Sequence, residues 1–189
     1  MENASKALLI AAEILIGVMV ISLGVYLFNA YASYSSSQYS EIENTQIEQL
    51  NAKFLKYYGE QYVNGTKETI KCTIHDIVSV ANLARETNIS NNLVEIQSDG
   101  SYKTISGIDA EANNSNFYIQ IKLITKSKTY SNLELKTDSD LVDIITANDV
   151  TTSSSTAETI YFKCTKVGYC QIDSNVVDRV NYMLFELYD

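Results

Sequence analysis

Glu13 stands out chemically because it is an acidic side chain inside an apolar run, Ala7–Phe28. A carboxylate in such a run is costly, by a few kcal/mol, unless a partner neutralises it. Lys6 lies seven residues earlier, which is about 10.5 Å along a helix that rises ~1.5 Å per residue. If identical helices stack with an axial stagger near that value, Glu13 of one copy faces Lys6 or the amino terminus of another. We therefore expect Glu13 and Lys6 to set the register of assembly.

Small residues near Glu13 favour the same interpretation. Gly17 and Gly24 are also seven residues apart, and Ala11 and Ala12 lie close by. Small side chains let helix backbones approach closely in lipid. Two alternatives remain open at this point: Glu13 is protonated, or it pairs only with the N-terminal part of its own chain.

The three cysteines, Cys72, Cys164 and Cys170, offer redox or metal chemistry. An odd number leaves one cysteine outside any disulfide within the chain. Outside the cytoplasm we expect one disulfide. Cys164 and Cys170 flank a predicted turn and form one candidate pair, and Cys72 with Cys164 is the competing pair. A zinc site is not indicated, because the chain has one histidine and no Cys-x-x-Cys motif.

Two further groupings carry a weaker suggestion of chemistry. Cys72 and His75 resemble a nucleophile and its base, but no third group to orient the histidine is evident. Asp138, Asp140 and Asp143 offer oxygen ligands for a cation, but they lack the spacing and central glycine of an EF-hand. We therefore expect no catalytic site, no metal site and no cofactor, and we predict that the chain is not an enzyme.

The charge distribution narrows the range of partners. The 189 residues carry a formal net charge of −9, and only three charged side chains fall in the first 40 residues. The acidity therefore belongs to the rest of the chain. Binding of nucleic acid requires a basic face, so this composition argues against nucleic acid as a partner.

The apolar run also determines how the chain meets a membrane. Ala7–Phe28 would form a helix of about 33 Å, enough to cross a hydrocarbon core of ~30 Å. Lys6 lies before it, and no Lys or Arg follows until Lys53. The positive-inside rule then keeps the N-terminus in the cytoplasm and places the rest outside. Ala30 and Ala32 also resemble a signal-peptidase site, which is the alternative to a retained anchor.

Hydrophobic periodicity predicts the elements. One long helix is expected over Ala4–Tyr58, bent or locally disordered near Ser33–Gln38, and a second helix from a capping box at Thr73–Asp76 to about Asn88. The predicted strands are Leu93–Gln97 and Tyr102–Ser106 as a hairpin, Phe117–Ile124, a weaker Asn132–Thr137, and Ile160–Lys166 and Tyr169–Ile172 as a hairpin around Val167-Gly168. Arg179–Leu187 fits a strand or an amphipathic helix, and its Val, Tyr and Phe content favours a strand. Leu141–Thr146 is ambiguous between helix and strand, and Val150–Glu158 is expected to be a loop.

These elements predict an α+β fold in which helices pack against an antiparallel sheet. We divide the chain into a long N-terminal helix, residues 1–58, and an extracytoplasmic head domain, residues 59–189. Within the helix, residues 7–28 are the membrane-length segment.

The run Ala7-Leu-Leu-Ile-Ala-Ala-Glu-Ile-Leu-Ile-Gly-Val-Met-Val-Ile resembles the N-terminal helix of type IV pilins and pseudopilins. The resemblance implies a filament with helices bundled in its core, and a leader removed after a small residue. Cleavage between Ala7 and Leu8 would make Glu13 the sixth residue, where pilins usually carry the acid fifth. It would also remove Lys6 and leave the new amine as the partner. The Gly-Phe junction usual in pilins is absent, and the chain also resembles small bacterial single-pass membrane proteins of unassigned function.

Two functions of different class follow as expectations. The first is a pilin-like structural subunit that assembles with itself through its N-terminal helix, after residing in the membrane. The second is an anchored extracytoplasmic binding or accessory domain that does not polymerise. The chain would lie in the membrane with its domain outside the cytoplasm, or in a filament on the cell surface. The residues do not indicate what the head domain binds.

Overall fold

The computed structural model describes residues 2–108, 117–153, 156–171 and 177–188. The chain divides into two compact units, Met1–Thr45 and Gln46–Asp189. Together they have the α+β layout that the sequence predicts: a long apolar N-terminal helix followed by a small sheet domain.

The first helix, α1, covers Glu2–Leu55. Its backbone is helical through Ser33–Gln38, where the sequence predicts a bend or local disorder. Serine is compatible with a helix when its hydroxyl bonds back to the preceding turn, and Ser37 Oγ donates to the carbonyl of Ser33 at 3.1 Å. The last part of α1 belongs to the second unit, where Ile47, Asn51 and Phe54 are buried.

The other elements follow in order. The helices are α2 (Ile74–Ser90), a 3₁₀ helix (Leu133–Leu135) and α3 (Asp138–Asn148). The strands are β1 (Glu60–Val63), β2 (Thr66–Thr69), β3 (Val94–Ile96), β4 (Tyr102–Thr104), β5 (Gln120–Ile124), β6 (Thr129–Tyr130), β7 (Val150–Ser153), β8 (Thr156–Thr159), β9 (Phe162–Cys170) and β10 (Arg179–Leu187).

The central sheet has four strands in the order β6-β5-β10-β9. β10 pairs antiparallel with β9 and parallel with β5, with Phe185 opposite Leu123. The sheet is therefore mixed, whereas the sequence predicts an antiparallel one. The other strands form three antiparallel hairpins, β1–β2, β3–β4 and β7–β8.

One hydrophobic core lies between this sheet and the helices. α2 begins with the predicted capping box, because the Thr73 hydroxyl accepts from the Asp76 amide and the Asp76 carboxylate accepts from the Thr73 amide. Its buried face then packs on β5, the 3₁₀ helix and α3. The fully or nearly fully buried apolar residues include Phe54, Ile77, Ala81, Ala84, Ile121, Leu123, Phe162, Met183 and Phe185.

The predicted hairpin around Val167-Gly168 is wrong, because β9 runs straight through these residues. Gly168 meets a different requirement. A Cβ at this position would lie 2.9 Å from the Tyr182 Cβ of β10. The glycine therefore permits close contact between two strands and does not mark a turn. Ile172, the last residue of the predicted hairpin, lies outside the described residues.

Three other segments differ from prediction. The weak strand Asn132–Thr137 is the 3₁₀ helix, Leu141–Thr146 lies within α3, and the loop Val150–Glu158 contains the β7–β8 hairpin. The β1–β2 hairpin was not predicted, although its turn is Asn64-Gly65 with positive φ at both residues, a common hairpin sequence.

Candidate functional site

The apolar part of α1 is the first feature that calls for an interaction outside the chain. Every large apolar side chain from Leu8 to Phe28 is 55–75% exposed. The most apolar 18-residue window of the helix has a mean hydropathy of 2.6, enough in length and composition to cross a membrane. A membrane anchor and a signal sequence both meet that description. A continuous apolar surface of this size needs a cover of lipid or protein.

Glu13 interrupts this surface. It is exposed, and within the described part of the chain no side chain forms an ion pair or hydrogen bond with its carboxylate. Lys6 does not reach it, because a continuous helix places the two residues about 10.5 Å apart along the axis. Lys6 Nζ instead bonds Glu2 Oε1 at 2.9 Å. The amino terminus, the other predicted partner, lies outside the described residues.

Glu13 shares one face of α1 with the other residues singled out in this helix. At about 100° per residue, Glu2, Lys6, Gly17 and Gly24 all lie within about 40° of Glu13 around the helix axis. We call this face the Glu13 stripe, defined by Lys6, Glu13, Gly17 and Gly24. It combines a carboxylate, a cation and two positions without side chains on a single line.

The glycines of the stripe are not required by their own unit. A Cβ at Gly17 or Gly24 would find no atom within 4 Å, and neither glycine has a positive φ. Glycine in a helix interior is less stable than alanine by about 1 kcal/mol. The folded chain therefore gives no reason for these two glycines, whereas a closely packed partner helix would.

The candidate cleavage site, Ala7 and Leu8, lies in the helical backbone of α1 and is exposed. Cleavage here stays a prediction.

All three cysteines lie in the described part of the chain, and no disulfide joins them in the structure. Cys164 and Cys170 occupy the same strand, β9. Six residues of extended chain separate them by about 20 Å, and a disulfide requires Cα atoms within about 7 Å. The hairpin that would have made them neighbours is absent, so this pair has lost its structural basis.

The competing pair, Cys72 and Cys164, has a better structural basis. The Cys72 amide donates to the Phe162 carbonyl and the Phe162 amide to the Cys72 carbonyl, both at 2.8 Å, so Cys72 lies beside the strand that carries Cys164. Both thiols are buried in the main core. Burial raises the pKa of Cys72 to about 12 and that of Cys164 to about 11. Neutral, buried thiols of this kind fill space and are poor nucleophiles.

The Cys72–His75 grouping is not assembled. The Cys72 Sγ points to the Tyr57 carbonyl at 3.7 Å, while exposed His75 Nε2 lies 3.6 Å from Asp149 Oδ1. Two of the three acids in the acidic run make structural contacts: Asp138 pairs with Arg85, and Asp140 belongs to the capping box of α3.

No sequence pattern indicates the buried polar network around Glu134, whose side chain is fully buried. Tyr118 Oη donates to Glu134 Oε1 at 2.6 Å, and the Ile121 amide donates to Oε2 at 2.9 Å. Burial raises the pKa of Glu134 to about 7 and raises the pKa of Tyr118 as well. The carboxylate thus joins the 3₁₀ helix to β5 and to the residues just before it.

Arg85 extends this network from α2. Its Nε donates to the Glu134 carbonyl at 3.1 Å, its Nη2 to the Lys136 carbonyl at 2.7 Å, and its Nη1 to Asp138 Oδ1 at 3.0 Å. The guanidinium also stacks 4.1 Å from the centre of the Tyr102 ring. Every contact holds one element of the chain to another, so the network serves packing.

No protein-family model, no curated protein and no solved structure matches this chain. The likeness to pilins therefore consists of the sequence of the apolar helix and the layout of a long helix followed by a sheet domain.

Proposed function

We propose that this chain is a pilin-like structural subunit of an extracellular filament, assembled with other copies through its N-terminal helix. The observation that carries the proposal is the unpartnered carboxylate of Glu13 on an exposed apolar helix, in line with Lys6 and two glycines. A charge in such a surface needs an opposite charge from outside the chain. A second copy carries one on the same face.

The spacing of the stripe makes one stagger serve both pairs. Sliding a second helix by seven residues brings its Lys6 level with Glu13, and the same slide brings its Gly17 level with Gly24. The ion pair would neutralise the carboxylate where the glycines allow the two backbones to approach. Arrangements with other staggers satisfy one pair at most.

The ion pair between Lys6 and Glu2 competes with this contact but does not prevent it. Both side chains are more than two-thirds exposed, at 68% and 83%. Exposed ion pairs contribute little net free energy and exchange readily. In apolar surroundings, a pair between Lys6 and Glu13 has much more to gain because no water competes for either charge. If the leader is removed after Ala7, the new amine at Leu8 becomes the partner, and it meets Glu13 at a stagger of five residues, which no longer brings Gly17 level with Gly24.

The location of the chain follows from the same helix. Before assembly the apolar part of α1 resides in the membrane, with Lys6 on the cytoplasmic side. The second unit, Gln46–Asp189, which we call the sheet unit, is acidic. It then lies outside the cytoplasm and is displayed on the filament. The ligand of that unit is not part of the proposal, and neither nucleic acid nor a cofactor is invoked.

The alternative is an anchored binding or accessory domain that never polymerises. Negative-stain electron microscopy of material sheared from cells that produce the chain, with intact-mass analysis, distinguishes the two. We expect filaments that contain the chain, and the mass shows whether residues 1–7 are retained. Chain confined to the membrane fraction, with no filaments, would favour the alternative.

Substitution of Glu13 makes that test specific. Glu13→Leu should abolish filaments while the amount of chain in the membrane stays the same or rises, because leucine makes the helix more apolar. Glu13→Gln removes only the charge and should also reduce filaments. Glu43→Gln is the matched control, since Glu43 is an exposed acid in a polar stretch of the same helix. Filaments at normal yield from Glu13→Leu would refute the role of the stripe.

A further inference from the structure

Arg179, the first residue of β10, has an unusual environment for a buried cation. It is only 5% exposed, and among the described residues its Nε and Nη2 atoms have no hydrogen-bond partner. Buried guanidinium groups in proteins are normally paired, because an unpaired buried charge loses its hydration without compensation. Burial accordingly lowers the pKa of Arg179. The side chain is thus left with donors that nothing in the described chain accepts.

The rest of the structure holds Arg179 in this position. Asn51 of α1 donates from Nδ2 to the Asp178 carbonyl at 2.8 Å and accepts from the Val180 amide at 2.9 Å, so it clamps the backbone on both sides of Arg179. The Phe117 ring lies 5.5 Å from the guanidinium carbon. An aromatic face stabilises the cation but does not satisfy the in-plane N–H groups.

Arg179 lines a cleft of about 350 Å³ within the second unit. The facing wall is the end of α1, with Gln46, Gln49 and Lys53, and Asn91 closes one side after α2. Lys53 is exposed, and the structure shows no ion pair with a carboxylate for it. The cleft therefore combines two cations with three amide side chains, in a chain whose net charge is −9.

Two backbone carbonyls at the end of α2 already accept hydrogen bonds. The end of α2 turns its carbonyls this way, but the Thr87 carbonyl accepts from the Asn91 amide and from Ser90 Oγ, and the Ile89 carbonyl accepts from Asn92. Thr87 Oγ1 donates to the Leu83 carbonyl. Among the described residues that line the cleft, none is acidic. The Thr87 and Ile89 carbonyls are therefore not partners of Arg179, and no carboxylate of the described lining balances its charge.

We propose that this cleft binds an oxyanion, a carboxylate or phosphate group held by the guanidinium of Arg179 and the ammonium group of Lys53. Nε and Nη2 of Arg179 have almost no surface accessible to water, so they reach an anion only when the guanidinium turns towards the cleft. A planar carboxylate or a phosphate then accepts two parallel bonds from this edge of the guanidinium. A free small anion and a carboxylate from a second copy of this chain are two sources of the same chemistry. The proposal is independent of filament assembly.

The chain offers a clean spectroscopic test because it contains two arginines, Arg85 and Arg179. With arginine labelled by nitrogen-15 in the full chain in detergent micelles, each Nε–H group gives one NMR signal. Inorganic phosphate or citrate is titrated against sodium chloride at equal ionic strength. We expect the Arg179 signal to shift saturably while Arg85, bonded to the Glu134 carbonyl, stays in place.

A dilution series in chloride alone separates the two sources. A shift of the Arg179 signal with protein concentration, without added anion, indicates a carboxylate from another copy. A saturable shift at constant protein concentration indicates a free anion. If the Arg179 signal responds to neither change, or if both arginine signals drift linearly with salt, the proposal is wrong.

Two variants extend the test. Lys53→Gln should weaken the apparent affinity about tenfold through loss of a charged hydrogen bond, whereas Lys103→Gln, which removes an exposed charge from β4, should leave it unchanged. Arg179→Met should keep or raise the melting temperature without anion and lose any rise caused by phosphate or citrate. A large fall in melting temperature without anion would instead show a purely structural arginine.

Discussion

Glu13 and Glu134 are both carboxylates in apolar surroundings, and the chain treats them differently. Glu134, in the sheet unit, is fully buried and accepts hydrogen bonds from Tyr118 and from the Ile121 amide. Glu13, in the helical unit, is exposed among apolar side chains and has no such partner within the described residues. One carboxylate is satisfied by its own chain, and the other is not.

The difference separates structural polar groups from groups that await an interaction. A buried acid whose two carboxylate oxygens both accept hydrogen bonds from its own chain is part of the packing. An acid with an apolar surface around it and no donor is incomplete in the single chain. Arg179 belongs to the second class although it lies in the sheet unit, because its guanidinium is buried and two of its nitrogens lack acceptors.

Replacing each acid by alanine should give the largest contrast. Glu134→Ala leaves the Tyr118 hydroxyl and the Ile121 amide buried without acceptors, which should reduce the free energy of unfolding by about 3–5 kcal/mol. Glu13→Ala should leave the stability of the sheet unit unchanged. Guanidinium unfolding of the full chain in detergent, followed by near-UV circular dichroism, measures both. Equal losses would remove the distinction between the two acids.

Arg85→Lys should have the next largest effect. Lysine keeps the charge but cannot make three directed bonds to the Glu134 carbonyl, the Lys136 carbonyl and Asp138, so we expect a loss of about 2–3 kcal/mol. The same denaturation experiment measures it, with Lys103→Arg as an exposed control. A variant as stable as the wild type would show that the network contributes little.

The pH dependence of stability should also come from Glu134. Burial raises its pKa to about 7 from an ordinary value of 4.5, so between these values the folded state binds more protons than the unfolded state. The stabilisation is complete below about pH 4.5 and is lost as pH rises through 7, by roughly 3 kcal/mol. Denaturation midpoints across this range should show the fall, and Glu134→Gln, which resembles the protonated acid, should flatten it. An unchanged slope in that variant would contradict the assignment.

Glycines in the sheet unit and in the N-terminal helix show the same contrast, with a smaller expected effect. Gly168→Ala forces a Cβ to 2.9 Å from the Tyr182 Cβ, so we expect a loss of about 1–2 kcal/mol in the sheet unit. Gly17→Ala meets no atom within 4 Å, so it should stabilise the helix of the single chain by up to about 1 kcal/mol while it reduces filament yield. Thermal unfolding and filament counts report the two effects separately. If Gly17→Ala left filament yield unchanged, close helix packing at this position would be ruled out.

Sequence rules worked where the determinants are local. The Thr73–Asp76 capping box placed the start of α2, and β-branched and aromatic content placed β10 at Arg179–Leu187 with its observed bounds. Glu13 was found because its polarity contrasts with its neighbours in sequence. These signals lie within a few residues of the feature that they specify.

Sequence rules failed where the residue that determines the structure is distant in sequence. Gly168 was taken for a turn because its real constraint is Tyr182 on another strand. Glu134 gave no signal because its partners Arg85 and Tyr118 come from other elements. The parallel pairing of β5 with β10 and the orphaned donors of Arg179 likewise depend on tertiary packing.

The claim that the Glu13 stripe faces a second copy at a seven-residue stagger is tested most directly by cross-linking. Val20 and Leu27 lie seven residues apart on the Glu13 side of α1, and Ser22 and Asn29 lie seven apart on the opposite side, at about 100° per residue. Chains with Val20→Cys and chains with Leu27→Cys, carrying different tags, are produced together and oxidised in the membrane. The account predicts abundant cross-links between the two tags, and few between Ser22→Cys and Asn29→Cys chains. Equal cross-linking on both faces, or none on the Glu13 face, would contradict it.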